Sequence, residues 1–315
     1  MQILIFIVGL SFIYWFISQL DWHQVSILLL KIDPGEMVIW ISINLVIFLL
    51  FCTRTWLIFR EIDRSIGFVS LAKNRLVGFA VSYITPGPLV GGEPLQVYLL
   101  KKVNNIPTAS ATSALFIDRY IDVLANFTFI VIATAMLFWD DISLILSLTI
   151  ALFFFVYISV MIFYIKKITV ISFLAKKIYF LQRFYSFFHL VETQIIAFLH
   201  QAKMACLQLF FLCILIWGMT IYEVWFILHA LDLNPSVVDT ITVLLSLRLV
   251  LLTPFPGGMG VLESSQMWVI QYLGFDKNAS AITTLLVRSR DACFTICGLC
   301  YWKKFSRHLK ERSRL

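Results

Sequence analysis

The sequence predicts an all-α fold: a polytopic membrane bundle of about six spans, with two re-entrant helical hairpins in an inverted-topology repeat. Three observations carry that prediction. Several apolar runs are long enough to cross a bilayer. The basic residues collect in alternate connections. Two further apolar stretches are broken in the same way by proline and glycine.

The chain is 60% hydrophobic and 14% charged, whereas a soluble domain carries about a quarter charged residues. A helical span needs roughly 20 residues, and runs of that order lie at about 2–20, 37–59, 108–138, 142–165, 205–230 and 279–302. The first has no basic n-region and no clear small-x-small cleavage site, so it reads as a retained span. No stretch is polar and long enough for a separate soluble domain. Residues 1–315 therefore read as one integral membrane domain.

The net charge of +7 needs no nucleic acid to explain it, because cytoplasmic loops of membrane proteins are enriched in Lys and Arg. Arg60, Arg64, Lys73 and Arg75 share one connection, and Lys101 and Lys102 lie in another. Lys166, Lys167, Lys176, Lys177, Arg183 and Lys203 follow, and six basic residues lie between Lys303 and Arg314. The opposite loops hold Asp21, Asp33, Glu36, Asp140, Asp141 and Asp232. This asymmetry predicts a multi-pass protein of the cell membrane with a cytoplasmic C-terminus.

The broken stretches run over about 70–100 and 237–273. The loop charges put both ends of the first on the cytoplasmic side and both ends of the second outside, so the two should dip in from opposite faces. The span at 142–165 reverses the second unit. Units of about 37–138 and 205–302 then form an inverted repeat, a common transporter plan. Spacing supports the duplication. Thr85-Pro86 and Thr253-Pro254 are 168 residues apart, as are Gly92 and Gly260. Arg119-x-x-Asp122 recurs 169 residues later as Arg288-x-x-Asp291.

Irregular backbone is tolerated inside a bilayer only where protein covers it or it lines a wet cavity. Proline removes a donor and breaks a helix, and glycine permits tight turns. Pro86, Gly87, Gly91 and Gly92 should therefore form one buried tip, and Pro256, Gly257, Gly258 and Gly260 the other. The N–H groups that open each second half-helix are an expected anion site.

A charged residue at a helix centre costs roughly 2.5–3.5 kcal/mol on the insertion scale, so such residues should face the interior and pair. Glu93, Asp118, Arg119, Asp122, Glu223, Arg248, Glu263, Arg288, Arg290 and Asp291 make up that set. Arg119–Asp122 and Arg288–Asp291 have the i, i+3 spacing of structural ion pairs. The same arginines present planar forks that suit a phosphate. Both readings stand on the sequence alone, with the glutamates neutralising the arginines of an empty site or carrying a coupling proton.

Residues of about 166–203 are rich in Phe, Tyr, Leu and Lys but include Arg183, His189 and Glu192. They read as one or two helices in the cytoplasmic interface, with lysines toward anionic lipid, or equally as a connector with snorkelling lysines. Cys293, Cys297 and Cys300 share a helix face. A zinc site usually adds a histidine or a fourth thiol, so packing is the expected role. No metal and no cofactor is expected. No G-x-x-x-x-G-K-[ST] loop is present, which argues against direct ATP hydrolysis.

The tip Pro256-Gly257-Gly258-Met259-Gly260-Val261-Leu262-Glu263, the tip Pro86-Gly87-Pro88-Leu89-Val90-Gly91-Gly92-Glu93-Pro94 and the intramembrane Asp118-Arg119-x-x-Asp122 together carry a resemblance. Over about 1–305 the chain resembles the transmembrane flippase region of lysylphosphatidylglycerol synthetases and the stand-alone flippase-like proteins grouped with it. The resemblance implies movement of a lipid headgroup between leaflets. The full synthetases carry a large soluble aminoacyltransferase domain after the spans. This sequence runs to Leu315 with a short basic tail, so a stand-alone transporter is expected rather than that synthetase.

The expected function is thus a flippase or transporter for an anionic or headgroup-modified lipid. Its expected partners are membrane lipids with anionic or lipid-linked headgroups, with a lipid-modifying enzyme as a further candidate partner and no nucleic acid. The alternatives are a membrane enzyme acting on a lipid phosphate and an accessory protein to a lipid-modifying enzyme. For the enzyme, Asp118-x-x-x-Asp122 would hold Mg²⁺ on one helix face.

Overall fold

Helix α1 (Gln2–Gln19) occupies the first apolar run, and a short helix, α2 (Trp22–Lys31), follows it. The sequence pattern did not announce α2. Its start is set by Asp21, whose carboxylate accepts the backbone N–H groups of His23 at 3.0 Å and Gln24 at 3.3 Å, an N-cap. The structure, a computed structural model, describes residues 2–63, 65–85, 91–138, 144–177, 182–250, 252–253 and 255–312.

Helix α3 (Pro34–Ile62) begins with proline, whose missing N–H costs nothing in a first turn. The first broken segment is α4 (Phe68–Ile84) and α5 (Gly92–Asn104), and Pro107 precedes α6 (Thr108–Phe138). Helices α7 (Leu144–Ile165), α8 (Val170–Lys177), α9 (Tyr185–Gln201) and α10 (Lys203–Ala230) follow. The second broken segment is α11 (Val237–Val250), a 3-10 turn at Pro256–Gly258, and α12 (Val261–Tyr272). Ser236 and Asp239 open α11 as a reciprocal capping pair, with bonds of 2.8 and 3.1 Å. The last helix, α13 (Lys277–Arg312), runs past the expected end at 302, because the polar stretch after Trp302 consists largely of good helix formers. Among the described residues there is no strand. Three described helices are long and apolar enough to cross a membrane: Pro34–Ile62, Thr108–Leu137 and Lys203–Ala230. Arg288, Arg290 and Asp291 lie inside α13.

The chain groups into two compact units. The first holds Met1–Leu49, Ala72–Gln96 and Ile216–Leu315. Here α4 and α5 approach so closely that a Cβ on Gly92 would lie 2.0 Å from the Gly78 carbonyl oxygen. Only glycine closes this hairpin. The Asn74 side chain donates to the Gln96 carbonyl at 3.1 Å and fixes the register. Phe294 of α13 packs on Phe48 of α3 and Phe79 of α4, with ring centroids 5.3 and 6.0 Å apart. Buried Gln266 of α12 donates to Ser246 of α11 at 2.6 Å.

The second unit holds Leu50–Leu71 and Val97–Leu215. Ile58 and Phe59 of α3, Leu100 of α5, Ala111 and Ala114 of α6, and Val191, Ile195 and Phe198 of α9 form its core. Polar cross-links tie the helices: Ser113 of α6 donates to Gln194 of α9 at 2.8 Å, and the Tyr120 hydroxyl of α6 donates to the Tyr157 carbonyl of α7 at 2.7 Å.

Candidate functional site

The tip of the second broken segment is shaped by glycine. Gly257 has φ +53° and Gly258 φ +66°, left-handed conformations that cost other L-residues roughly 1–2 kcal/mol each. The reversal turns the carbonyls of Gly257 and Gly258 toward α13, where Arg288 receives them. Its Nη1 donates to the Gly257 oxygen at 2.5 Å and its Nη2 to the Gly258 oxygen at 3.2 Å. Nε and Nη2 both stand 2.8 Å from Oε1 of Glu263.

Nη1 also donates, at 2.8 Å, to the hydroxyl of Tyr83. Tyr83 lies in the last turn of α4 in the first broken segment. Its ring covers Gly257, where a Cβ would meet ring carbons at 2.8–3.1 Å. The two broken segments therefore meet, and Arg288 is the clasp. Its five N–H donors are matched by one carboxylate, two carbonyls and one hydroxyl.

Both tip glutamates fold back on their own half-helices. Glu263 Oε2 accepts the Gly260 N–H at 2.7 Å, and Glu93 Oε2 accepts the Gly91 N–H at 3.0 Å. The expected anion sites at these helix starts are thus taken by the protein's own carboxylates, which the dipole favours just as it would favour a ligand anion. Gly92 donates to Ser82 at 2.9 Å, and Pro256 opens the 3-10 turn. Pro86 and Gly87 lie outside the described residues.

The i, i+3 pair expected between Arg288 and Asp291 is replaced by two others. Arg290, not Arg288, holds Asp291, through Nε at 3.0 Å, and its Nη1 reaches Glu223 of α10 at 2.8 Å. Helical rotation of about 100° per residue puts residues 288 and 290 on nearly opposite sides of α13, so the two arginines serve different neighbours. Arg248 of α11 stacks its guanidinium over Trp217, 4.8 Å from the ring centroid.

In the second unit, Asp118, Arg119 and Asp122 of α6 come together with Arg54, which is not among the charged residues expected from the sequence. Arg54 of α3, 2% exposed, donates through Nε to Asp118 at 2.8 Å and through Nη1 to Asp122 at 3.1 Å. Arg119 is 3.6 Å from Asp122, as its spacing foretold. Arg54 was findable, since it interrupts the apolar run at 37–59. Tyr83 was not, because its hydroxyl finds its partner 205 residues away.

A family profile described as the lysylphosphatidylglycerol synthase TM region matches residues 2–298. A UPF0104 membrane protein of Methanothermobacter thermautotrophicus is 24% identical over 281 residues, which cover 82% of this chain and 81% of that relative. No solved structure gives a significant match.

Proposed function

The chain belongs to the lysylphosphatidylglycerol synthase TM region family, and we propose that it moves an anionic or headgroup-modified lipid between membrane leaflets. The observation that supports this reading most is the gathering of both Pro/Gly segments on Arg288. A guanidinium fork suits phosphate, and a buried arginine is stable only while paired. In this structure Glu263, two carbonyls and Tyr83 do the pairing. An entering phosphate competes for the same donors. Each donor it takes from Tyr83 or Gly257 loosens one hairpin from the other, so occupancy favours movement of the tips. In this reading the hairpins enter from opposite leaflets of the cell membrane, the C-terminus is cytoplasmic, and the lipid, rather than a chemical step, is what the protein acts on.

The rival reading, a lipid-phosphate enzyme with Mg²⁺ between Asp118 and Asp122, has less support. Arg54 already lies against both carboxylates. The test is reconstitution of the full chain in liposomes with headgroup-labelled phosphatidylglycerol, read by an impermeant quencher. Faster equilibration between leaflets than in protein-free liposomes is expected. Equal rates for phosphatidylglycerol, phosphatidylethanolamine and a polyprenyl phosphate, with and without protein, would defeat the proposal. An inventory of copurifying lipid names the headgroup.

A further inference from the structure

The segment between α7 and α10 carries a surface for which the transport reading has no use. From Met161 to Lys203 the chain has Lys166, Lys167, Lys176, Lys177, Arg183 and Lys203, but one carboxylate, Glu192. All six basic residues are exposed. Glu192 is fully buried. It accepts the Ser172 backbone N–H at 2.8 Å and also the Ser172 hydroxyl, which pins the first turn of α8 to α9. The segment's one negative charge is thus turned inward, and its surface carries cations alone.

Apolar groups share that surface. On α8, Ser172 and Ala175 are buried, while Phe173, Lys176 and Lys177 are exposed at i, i+3 and i+4, one face of the helix. Phe173 is 67% exposed. On α9, Val191, Ile195 and Phe198 point inward, while Tyr185, His189 and Leu190 are exposed, with Tyr185 stacked on His189 at 5.7 Å. A basic face in water needs no phenylalanine or leucine on it. Aromatic and aliphatic side chains beside lysines are the composition of helices that lie in a headgroup layer.

We infer that α8 and α9 form a docking surface for the anionic lipid headgroups of the bilayer that holds the protein. Phe173, Tyr185 and Leu190 sit at the boundary between headgroups and acyl chains, and the five cations from Lys166 to Arg183 meet phosphates. Charge complementarity selects this occupant: a zwitterionic surface offers such cations no net attraction, whereas an anionic leaflet attracts each of them. None of these residues belongs to the Arg288 clasp, so this surface and the transport site stand or fall separately.

The test is lipid selectivity around the full chain, reconstituted with spin-labelled phosphatidylglycerol or spin-labelled phosphatidylcholine and read by electron paramagnetic resonance. The wild type should prefer phosphatidylglycerol and lose that preference steadily as salt is raised. One cation near the surface strengthens binding about fivefold. The variant Lys166→Gln/Lys167→Gln/Lys176→Gln/Lys177→Gln/Arg183→Gln should therefore lose preference by about fivefold or more. The salt series on the wild type does not depend on the variant folding. Equal association of the two lipids with the wild type overturns the inference and leaves the cations to water or to an acidic protein. A preference that neither salt nor the variant changes overturns it too.

Discussion

Replacing Arg288 with methionine isolates what the clasp contributes to stability. The two members of its ion pair are mostly buried, with Arg288 and Glu263 side chains 21% and 10% exposed. Side-chain hydrogen bonds between membrane helices average about 0.6 kcal/mol. Tyr83, Gly257 and Gly258 together then account for about 2 kcal/mol. Stranding a buried carboxylate by removing its partner costs about 3–5 kcal/mol. The ion pair is the larger part, and with both contributions removed Arg288→Met should lose about 5–7 kcal/mol. Arg288→Met/Glu263→Met removes the stranded charge and should recover about 2 kcal/mol of that loss. Equilibrium unfolding in mixed detergent–SDS micelles, followed by circular dichroism, measures both. A single variant that loses less than about 1 kcal/mol, or a double variant no more stable than the single, would refute the assignment of Arg288 as a buried, charge-paired clasp.

The other predictions concern packing, the second unit and the contact between hairpins. Gly92→Ala should prevent closure of the first hairpin, because its methyl group would lie 2.0 Å from the Gly78 carbonyl; Gly218→Ala, where nothing lies within 4 Å, should change little. Gel-filtration homogeneity and thermal stability distinguish the two. Arg54→Leu leaves Asp118 and Asp122, one turn apart on the same face of α6, without the guanidinium that bridges them, and should cost about 3–5 kcal/mol in the same unfolding assay. Tyr83→Phe keeps the ring over Gly257 but frees one Arg288 donor. It should cost under about 1 kcal/mol of stability and, if the bond resists tip opening, speed lipid transfer by up to about fivefold. An unchanged transfer rate would make the hydroxyl contact purely structural.

The spans were legible because length and hydropathy are local properties. The expected run at 108–138 coincides with α6, and that at 205–230 lies within α10. Proline and glycine were legible for the same reason: they locate the interruptions between the helix ending at Ile84 and that starting at Gly92, and between the helix ending at Val250 and that starting at Val261. Partnerships were harder to read. Sequence spacing suggests an ion pair within α13, but Arg288 has a carboxylate 25 residues away and two tip carbonyls within reach, and these outcompete Asp291. Helix α2 escaped notice since ten residues with a modest apolar face resemble a loop until Asp21 is seen capping them. Glu192 interrupts an apolar stretch, and a carboxylate there suggests exposure, yet it is fully buried. The bond to Ser172 that makes this tolerable depends on how α8 folds against α9.

The central claim is that lipid passes where the two broken hairpins meet. The most direct measurement is the leaflet-exchange rate of headgroup-labelled phosphatidylglycerol in liposomes carrying equal amounts of folded wild type, Arg288→Met or Arg288→Met/Glu263→Met. The account predicts exchange by the wild type and its loss in both variants, including the double variant whose stability is partly recovered. Exchange at the wild-type rate by the folded double variant would contradict it.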